Sequence, residues 1–133
     1  MEMSPTINAI IIGVRDLARA KRFYGEGLGC EVAQDNPAFV SFKMRNGSSG
    51  LALYPWDALA EDAGVEGEGS GFRGVTFNYF TPTTEGVDAT LAQAERAGGK
   101  VVRPAEKAKW GGYFGYFSDP DGYLWKVVAQ PSG

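Results

Sequence analysis

The chain has 133 residues, of which 44% are hydrophobic and 22% charged, and this length and composition favour one globular domain over disorder. Thirteen Lys and Arg against sixteen Asp and Glu give a net charge of −3, which argues against the basic surfaces that bind nucleic acid or anionic membranes. The absence of histidine and the single cysteine, Cys30, exclude imidazole metal ligands, histidine-dependent nucleophiles and an internal disulfide framework.

The first six residues have neither a basic start nor a long apolar run. No stretch of the sequence approaches the roughly 20 consecutive apolar residues that span a bilayer. We therefore expect a cytoplasmic protein with no membrane attachment and no nucleic-acid partner.

The first half of the sequence predicts a strand, a helix and three further strands. Residues 7–14 form an almost continuous apolar run, which is typical of a strand covered on both faces. Asp16 is a good N-cap for a helix with apolar residues at helical spacing. Three strands then follow, at residues 30–34, 38–44 and 51–56. Asn46-Gly47, between the last two, predicts a tight hairpin turn.

The second half repeats this order. Residues 75–80 predict a strand, and Thr83 or Thr84 caps the helix that follows. Three strands come next, at residues 100–103, 113–117 and 123–129. The segment 119–122, Asp-Pro-Asp-Gly, suits a type I turn between the last two. We therefore predict an α+β fold of two βαβββ modules, at 6–56 and 72–130, joined by a linker at 57–71 that can include a short helix at 57–65.

Two stretches resemble a known family. GVRDLARAKRFYG at 13–25 and GGYFGYFSDPDGYLW at 111–125 are similar to sequences of the vicinal oxygen chelate superfamily, the group of glyoxalase I, bleomycin-resistance proteins and extradiol dioxygenases. The resemblance covers nearly the whole chain. It implies that the two modules form a cup-shaped mixed sheet with helices outside, usually in a homodimer. Unrelated chemistries occur in this cup, so the fold alone does not define the function.

The resemblance also implies a degenerate metal site. Metal-dependent members carry ligands at four positions, which correspond here to Ala9, Ala52, Gly74 and Lys126. Alanine and glycine have no side-chain donor atoms, and a protonated lysine repels a divalent cation. We therefore expect neither a metal nor another cofactor.

Strand alternation around these positions predicts a mainly apolar and aromatic cup lining that suits a small molecule. The ligand-binding residues predicted in this way, and from the loop at 107–114, are Lys126, Tyr54, Trp56, Thr76, Asn78, Trp110 and Tyr113. The same alternation adds Ile7, Ile11, Leu124 and Val128 to the lining. A contact between two copies of the chain is an equally good interpretation of the loop around Trp110.

Lys126 is a charged residue in an apolar strand, and three interpretations of it stay open. It reaches water, it contacts an anionic group of a bound molecule, or it is the only candidate catalytic residue. No Asp or Glu falls on a predicted cup-facing position, so a second member of an acid–base pair is missing. We predict a metal-free binder of a small, partly apolar or anionic molecule. The alternatives are a lyase-, isomerase- or dioxygenase-type enzyme, metal-independent or with a non-standard site, and a dimeric scaffold with a filled cup.

Overall fold

The computed structural model describes Met3, Pro5 and residues 7–69 and 71–131. The first module contains β1 (Ala9–Val14), α1 (Leu17–Lys21), which continues as the π-helical segment Arg22–Gly27, β2 (Glu31–Asn36), β3 (Phe39–Lys43) and β4 (Gly50–Pro55). After α2 (Trp56–Ala63), the second module contains β5 (Thr76–Phe80), α3 (Thr84–Arg96), β6 (Lys100–Lys107), β7 (Tyr113–Ser118) and β8 (Leu124–Ala129). None of the helices in these ranges is long and apolar enough to span a membrane.

Each module forms its own four-stranded mixed sheet. The strand orders are β1-β4-β3-β2 and β5-β8-β7-β6, with the first pair parallel and the other pairs antiparallel in both sheets. The identical topology confirms the α+β class and the repeat of two βαβββ units. Among the described residues, the two sheets stay separate and do not close.

Capping and turn residues set the ends of several elements as the sequence predicts. The Asp16 carboxylate and the Thr83 hydroxyl each accept the backbone N–H three residues later, at 3.0 Å, and so begin α1 and α3. Asn46 and Gly47 have φ values of 58° and 74°, the left-handed conformation of a type I′ hairpin turn. Local side-chain chemistry therefore determines where these elements start and reverse.

The predicted strand ends lie within two residues of the observed ones except at the end of β6, and Trp56 was also placed in the wrong element. Strand β6 continues to Lys107 instead of ending at residue 103, and its pairing with β7 contains two register irregularities. Such bulges break the alternation of apolar and polar residues on which a sequence-based assignment depends. Trp56 begins α2 instead of ending β4, because the chain turns from strand to helix at Pro55.

Both modules contribute to one buried core. One face of the first sheet packs against α1 and one face of the second against α3, and the π-helical segment contacts α3 and contributes to the same core. The buried side chains include Ile12, Val14 and Leu53 from the first sheet, Phe117 and Val127 from the second, and Phe23, Tyr24, Val87 and Leu91 from the helices. The opposite face of each sheet, which we call its open face, is turned away from this core.

A buried hydrogen-bond group joins the two modules. The Tyr24 hydroxyl donates to Asp119 Oδ2 at 2.7 Å and accepts from Trp125 Nε1 at 3.2 Å. Asp119 Oδ1 accepts the backbone N–H groups of Asp121 and Tyr123. Burial raises the pKa of Asp119, and the hydrogen bond from Tyr24 opposes this effect. Burial is also the main cause of the raised pKa of Tyr24, and the charge of Asp119 raises that pKa further. The turn at 119–122 therefore connects the modules as well as β7 and β8.

Candidate functional site

Lys126 lies on the open face of the second sheet. Its neighbours on β8, Trp125 and Val127, belong to the core side, so the alternation of the strand turns Lys126 away from the core. The residues paired with it are Asn78 on β5 and Tyr116 on β7. The half-buried lysine therefore lies on a central strand of the sheet and not at its edge.

Three aromatic rings surround the Lys126 ammonium group. Its Nζ lies 4.9 Å from the ring centroid of Phe114 and 6.0 Å from those of Trp110 and Tyr116. These distances are in the range of cation–π attraction. No described carboxylate forms an ion pair with Lys126. The ring faces therefore hold the cation while its charge stays uncompensated by any anion of the described chain.

Arg103 and Glu106 extend this face along β6. The Arg103 guanidinium lies 4.7 Å from the Phe114 centroid, and its Nε and Nη2 both donate to Glu106 Oε1, the Nε at 2.9 Å. The prediction that no carboxylate lies on this side is therefore wrong, because the bulged strand brings Glu106 opposite Phe114. Glu106 nevertheless compensates Arg103 rather than Lys126.

Trp110 forms one end of the face. Its ring packs over Gly112, where a Cβ atom would overlap the indole, and the residue is still 50% exposed. Two backbone hydrogen bonds between Ala108 and residues 111 and 112, at 3.0 Å and 2.7 Å, close the loop. Gly112 thus allows the indole to lie close to the backbone beside Lys126 while half of its surface remains available.

Thr76 and Asn78 continue the face on β5, and both are exposed. The Thr76 hydroxyl donates to Asn78 Oδ1 at 3.4 Å. This contact leaves the Asn78 amide N–H groups available next to Lys126 in the neighbouring strand. The structure therefore brings together four of the seven predicted ligand residues, namely Lys126, Thr76, Asn78 and Trp110.

Tyr113 lies on the other side of the sheet. Its hydroxyl donates to Asp88 Oδ1 on α3 at 2.8 Å, and its ring packs against the core. The hydrogen bond to Asp88 is the main cause of the raised pKa of Tyr113. The predicted place of Tyr113 beside the ligand is corrected, because alternation along β7 gives Phe114 and Tyr116, not Tyr113, to the open face.

Tyr54 and Trp56 also lie apart from Lys126. Tyr54 is on the open face of the first sheet, where its ring meets Phe39 edge-on at 5.3 Å. Trp56 donates from Nε1 to the Gly67 carbonyl at 2.7 Å, and the Arg15 guanidinium lies 4.1 Å from its ring centroid. The sequence placed these residues in one lining with Lys126 and left open whether the modules pair within a chain or between chains, and in the structure the two open faces belong to separate sheets.

The four positions that correspond to metal ligands do not fit a metal ion. Ala9 and Ala52 lie on the open face of the first sheet, Lys126 lies on that of the second, and Gly74 precedes β5. Three positions lack side-chain donors and the fourth carries a cation. In the described part of the chain, no three residues of the types His, Cys, Asp and Glu come together as a candidate metal site.

The sequence reasoning missed four residues of this face, Arg103, Glu106, Phe114 and Tyr116. For two of them the signal lies in the length of the hairpin loop after β7. The Asp119 N–H donates to the Tyr123 carbonyl across residues 120–122, a register that places Tyr116 opposite Lys126, and alternation then adds Phe114. The predicted four-residue turn at 119–122 would instead place Gly115 opposite Lys126. The bulges in β6 leave no comparable signal for Arg103 and Glu106.

The comparisons with known proteins agree on the fold. The family model of the Glyoxalase/Bleomycin resistance protein/Dioxygenase superfamily matches residues 6–127. A solved glyoxalase-related enzyme from Fulvimarina pelagi has 32% sequence identity and a TM-score of 0.86, with 96% of this chain and 92% of that chain covered. A glyoxalase/bleomycin resistance protein/dioxygenase from Nocardioides has 24% identity and a TM-score of 0.81, covering 100% and 88%.

A lactoylglutathione lyase from Agrobacterium tumefaciens has 22% identity and a TM-score of 0.70, with 96% of this chain and 95% of that chain covered. At these identities, the Nocardioides and Agrobacterium proteins are informative about the fold alone. No match was found among the curated proteins. The chemistry of this chain therefore has to be argued from its own side chains.

Proposed function

The chain belongs to the glyoxalase/bleomycin resistance protein/dioxygenase superfamily, and because this fold carries unrelated chemistries we propose a function from its own site: it binds a small, partly apolar or anionic molecule, without a metal. The binding surface is the open face of the second sheet, around Lys126, Trp110 and Asn78. The Lys126 ammonium group, held against three aromatic rings without a carboxylate partner, is the observation that carries this proposal.

The energetics of Lys126 support a ligand contact. Partial burial removes water from a charged group, and cation–π contacts return only about 0.5–2 kcal/mol each. Arg103 on the same face differs from Lys126, because its guanidinium is paired with a carboxylate, that of Glu106. An uncompensated cation on an aromatic surface is the arrangement that an incoming anion or polar group complements.

A homodimer belongs to the same proposal. Strands β1 and β5 are each at the edge of their sheet, where backbone groups are available for pairing. Large apolar side chains lie exposed beside them, including Ile11 on β1 and Tyr79 and Phe80 on β5. A second copy would cover these edges and narrow the space over the binding face. Sedimentation equilibrium tests this association, and a monomer over the whole dilution range would contradict it.

The cytoplasmic location predicted from the sequence also stays part of the proposal. Fractionation of cells that express the tagged chain tests it, and recovery in a membrane or secreted fraction would contradict it.

Thermal unfolding in the presence of a panel of small molecules tests binding. A ligand at 100 times its dissociation constant stabilises the folded state by about 2.7 kcal/mol, which raises the melting temperature by several degrees. Lys126→Met keeps the length and apolar character of the side chain and removes its charge. Lys100→Met is the matched control, because Lys100 is an exposed lysine at the start of β6 on the same sheet.

The expected result is a shift that Lys126→Met removes and Lys100→Met preserves. No shift with any member of the panel, or shifts unchanged by Lys126→Met, would contradict the proposal.

An enzyme is the second candidate, because the Fulvimarina pelagi relative at 32% identity is described as a glyoxalase-related enzyme. Lys126 is then the candidate catalytic residue. The side chains at the four positions that correspond to metal ligands of the superfamily do not suit a metal ion. Elemental analysis of the dialysed protein therefore distinguishes a metal-dependent enzyme from a metal-free one. About one equivalent of metal per chain would contradict our ligand assignment, whereas turnover abolished by Lys126→Met without metal would favour catalysis over binding.

A further inference from the structure

We infer that the ligand is a flat aromatic monocarboxylate, with its carboxylate between Lys126 Nζ and the Asn78 amide and its ring against Trp110. This inference rests on the proposed function and specifies the charge and shape of the molecule bound.

The charge follows from the ionic groups of the open face. Arg103 lies on this face but is compensated by Glu106, with both its Nε and Nη2 bonded to the carboxylate. Lys126 is therefore the uncompensated cation among the three aromatic rings. A dianion such as a phosphate monoester would bring a second negative charge for which the three rings hold no second uncompensated cation, and this is unfavourable in partly desolvated surroundings.

The shape follows from the surroundings of the cation. The Phe114 and Tyr116 rings meet edge-to-face, with centroids 6.2 Å apart and an interplanar angle of 84°, and Trp110 keeps half of its surface exposed. A planar ring can stack on an exposed indole and cover apolar side chains at once, whereas a polyhydroxylated molecule would leave its hydroxyl groups without partners here.

Asn78 gives the site its second donor. The Thr76 hydroxyl donates to the Asn78 amide oxygen at 3.4 Å, and the amide N–H groups are the donors that this side chain offers to an incoming oxygen. Lys126 and Asn78 are register partners in adjacent parallel strands, which lie about 4.8 Å apart. Register partners in parallel strands project to the same face of the sheet, so both side chains can donate to the oxygens of one carboxylate bound over β8.

Isothermal titration with four probes tests the inference: 2-naphthoate, its neutral isostere 2-naphthamide, the dianion 2-naphthyl phosphate and the non-aromatic cyclohexanecarboxylate. We expect 2-naphthoate to bind at least about tenfold more tightly than each of the others, the factor of one well-formed charge-assisted contact. Lys126→Met removes the preference over the amide, Lys126→Arg retains most of it, and Lys100→Met leaves it unchanged. Asn78→Ala weakens the carboxylate about threefold or more and the amide less.

Each contrary result has a defined meaning. Equal binding of naphthoate and naphthamide, tighter binding of the phosphate, or a charge preference that survives Lys126→Met overturns the inference and leaves the proposed function intact. Equal binding of cyclohexanecarboxylate overturns the aromatic requirement. No heat with any of the four probes at millimolar concentration also overturns the inference, and the thermal-shift panel then decides the proposed function separately. Circular dichroism of every variant verifies that the comparison is made between folded proteins.

Discussion

Removal of the Tyr24 hydroxyl tests whether the buried hydrogen-bond group joins the two modules. Tyr24 is fully buried, and its hydroxyl bridges Asp119 Oδ2 and Trp125 Nε1. In Tyr24→Phe the ring remains, with its edge-to-face contact to Phe23 at 4.9 Å. Only the oxygen and its two hydrogen bonds are lost, so the variant isolates the polar contribution from the packing.

The structure sets the size of the effect. A hydrogen bond to a buried carboxylate is worth about 1.5–3 kcal/mol, and a donor left without a partner costs about 1 kcal/mol or more. Asp119 keeps two backbone donors on its other oxygen, which limits the loss. We expect the free energy of unfolding to fall by about 2–4 kcal/mol, and the melting temperature of a domain of this size to fall by about 7–14 °C.

The pH dependence gives the prediction a second, independent part. Burial holds the pKa of Asp119 above its usual value in the folded protein, so protonation of Asp119 favours the folded state. This stabilisation is complete at pH values below the pKa of Asp119 in the unfolded chain, and it is lost as the pH rises through its pKa in the folded protein. The Tyr24 hydrogen bond lowers this pKa. Its removal raises the pKa further, and the cost of Tyr24→Phe should therefore be largest at neutral pH and smaller as Asp119 becomes protonated.

Urea unfolding of the wild type and the variant at neutral and acidic pH measures both parts. Tyr113→Phe is the matched control, because its hydroxyl donates to Asp88 at the surface, and it should change stability by about 0.5 kcal/mol or less. A loss of unfolding free energy in Tyr24→Phe no larger than in Tyr113→Phe would refute the role assigned to the Tyr24–Asp119 hydrogen bond. A loss that does not decrease on acidification would refute it as well.

Three further predictions concern the surroundings of Lys126 and the single thiol. Gly112→Ala should displace the Trp110 indole, seen as a change in tryptophan fluorescence together with weaker ligand binding, whereas unchanged fluorescence would mean that the ring does not depend on Gly112. Glu106→Gln should leave Arg103 uncompensated. The ratio of the affinities for 2-naphthyl phosphate and 2-naphthoate should then rise by up to about fivefold relative to wild type, the size of an exposed ion pair. An unchanged ratio of affinities would contradict the charge argument. Cys30 should react with iodoacetamide more slowly than a free cysteine peptide at neutral pH, because burial raises its thiol pKa, and a rate equal to that of the peptide would contradict this environment.

Local chemistry in the sequence predicts most of the fold. Asp16 and Thr83 cap their helices, Asn46-Gly47 reverses the chain, and the repeated order of elements gives the two modules. The end of β6 could not be predicted in this way, because its bulges remove the two-residue periodicity. Trp56 was misassigned because a large aromatic residue suits the end of a strand as well as the start of a helix.

The site residues were predictable only where the alternation of side chains along a single strand is sufficient to assign a residue to one face of the sheet. Alternation correctly gives Thr76, Asn78 and Lys126 to one face. Tyr113 was misplaced because it was predicted from the loop at 107–114 as a unit, whereas it is the first residue of β7 and alternation turns it to the core side. The relation of Tyr54 to Lys126 depends on how two separate sheets are arranged, and this arrangement arises from the shared core and the Tyr24–Asp119 contact rather than from any local pattern.

A crystal structure of the protein grown with 2-naphthoate tests the central claim most directly. We expect the carboxylate within about 3 Å of Lys126 Nζ, with the naphthyl ring against Trp110 on the open face of the second sheet. A ligand bound elsewhere on the chain, or bound with its carboxylate in solvent away from Lys126, would contradict the account.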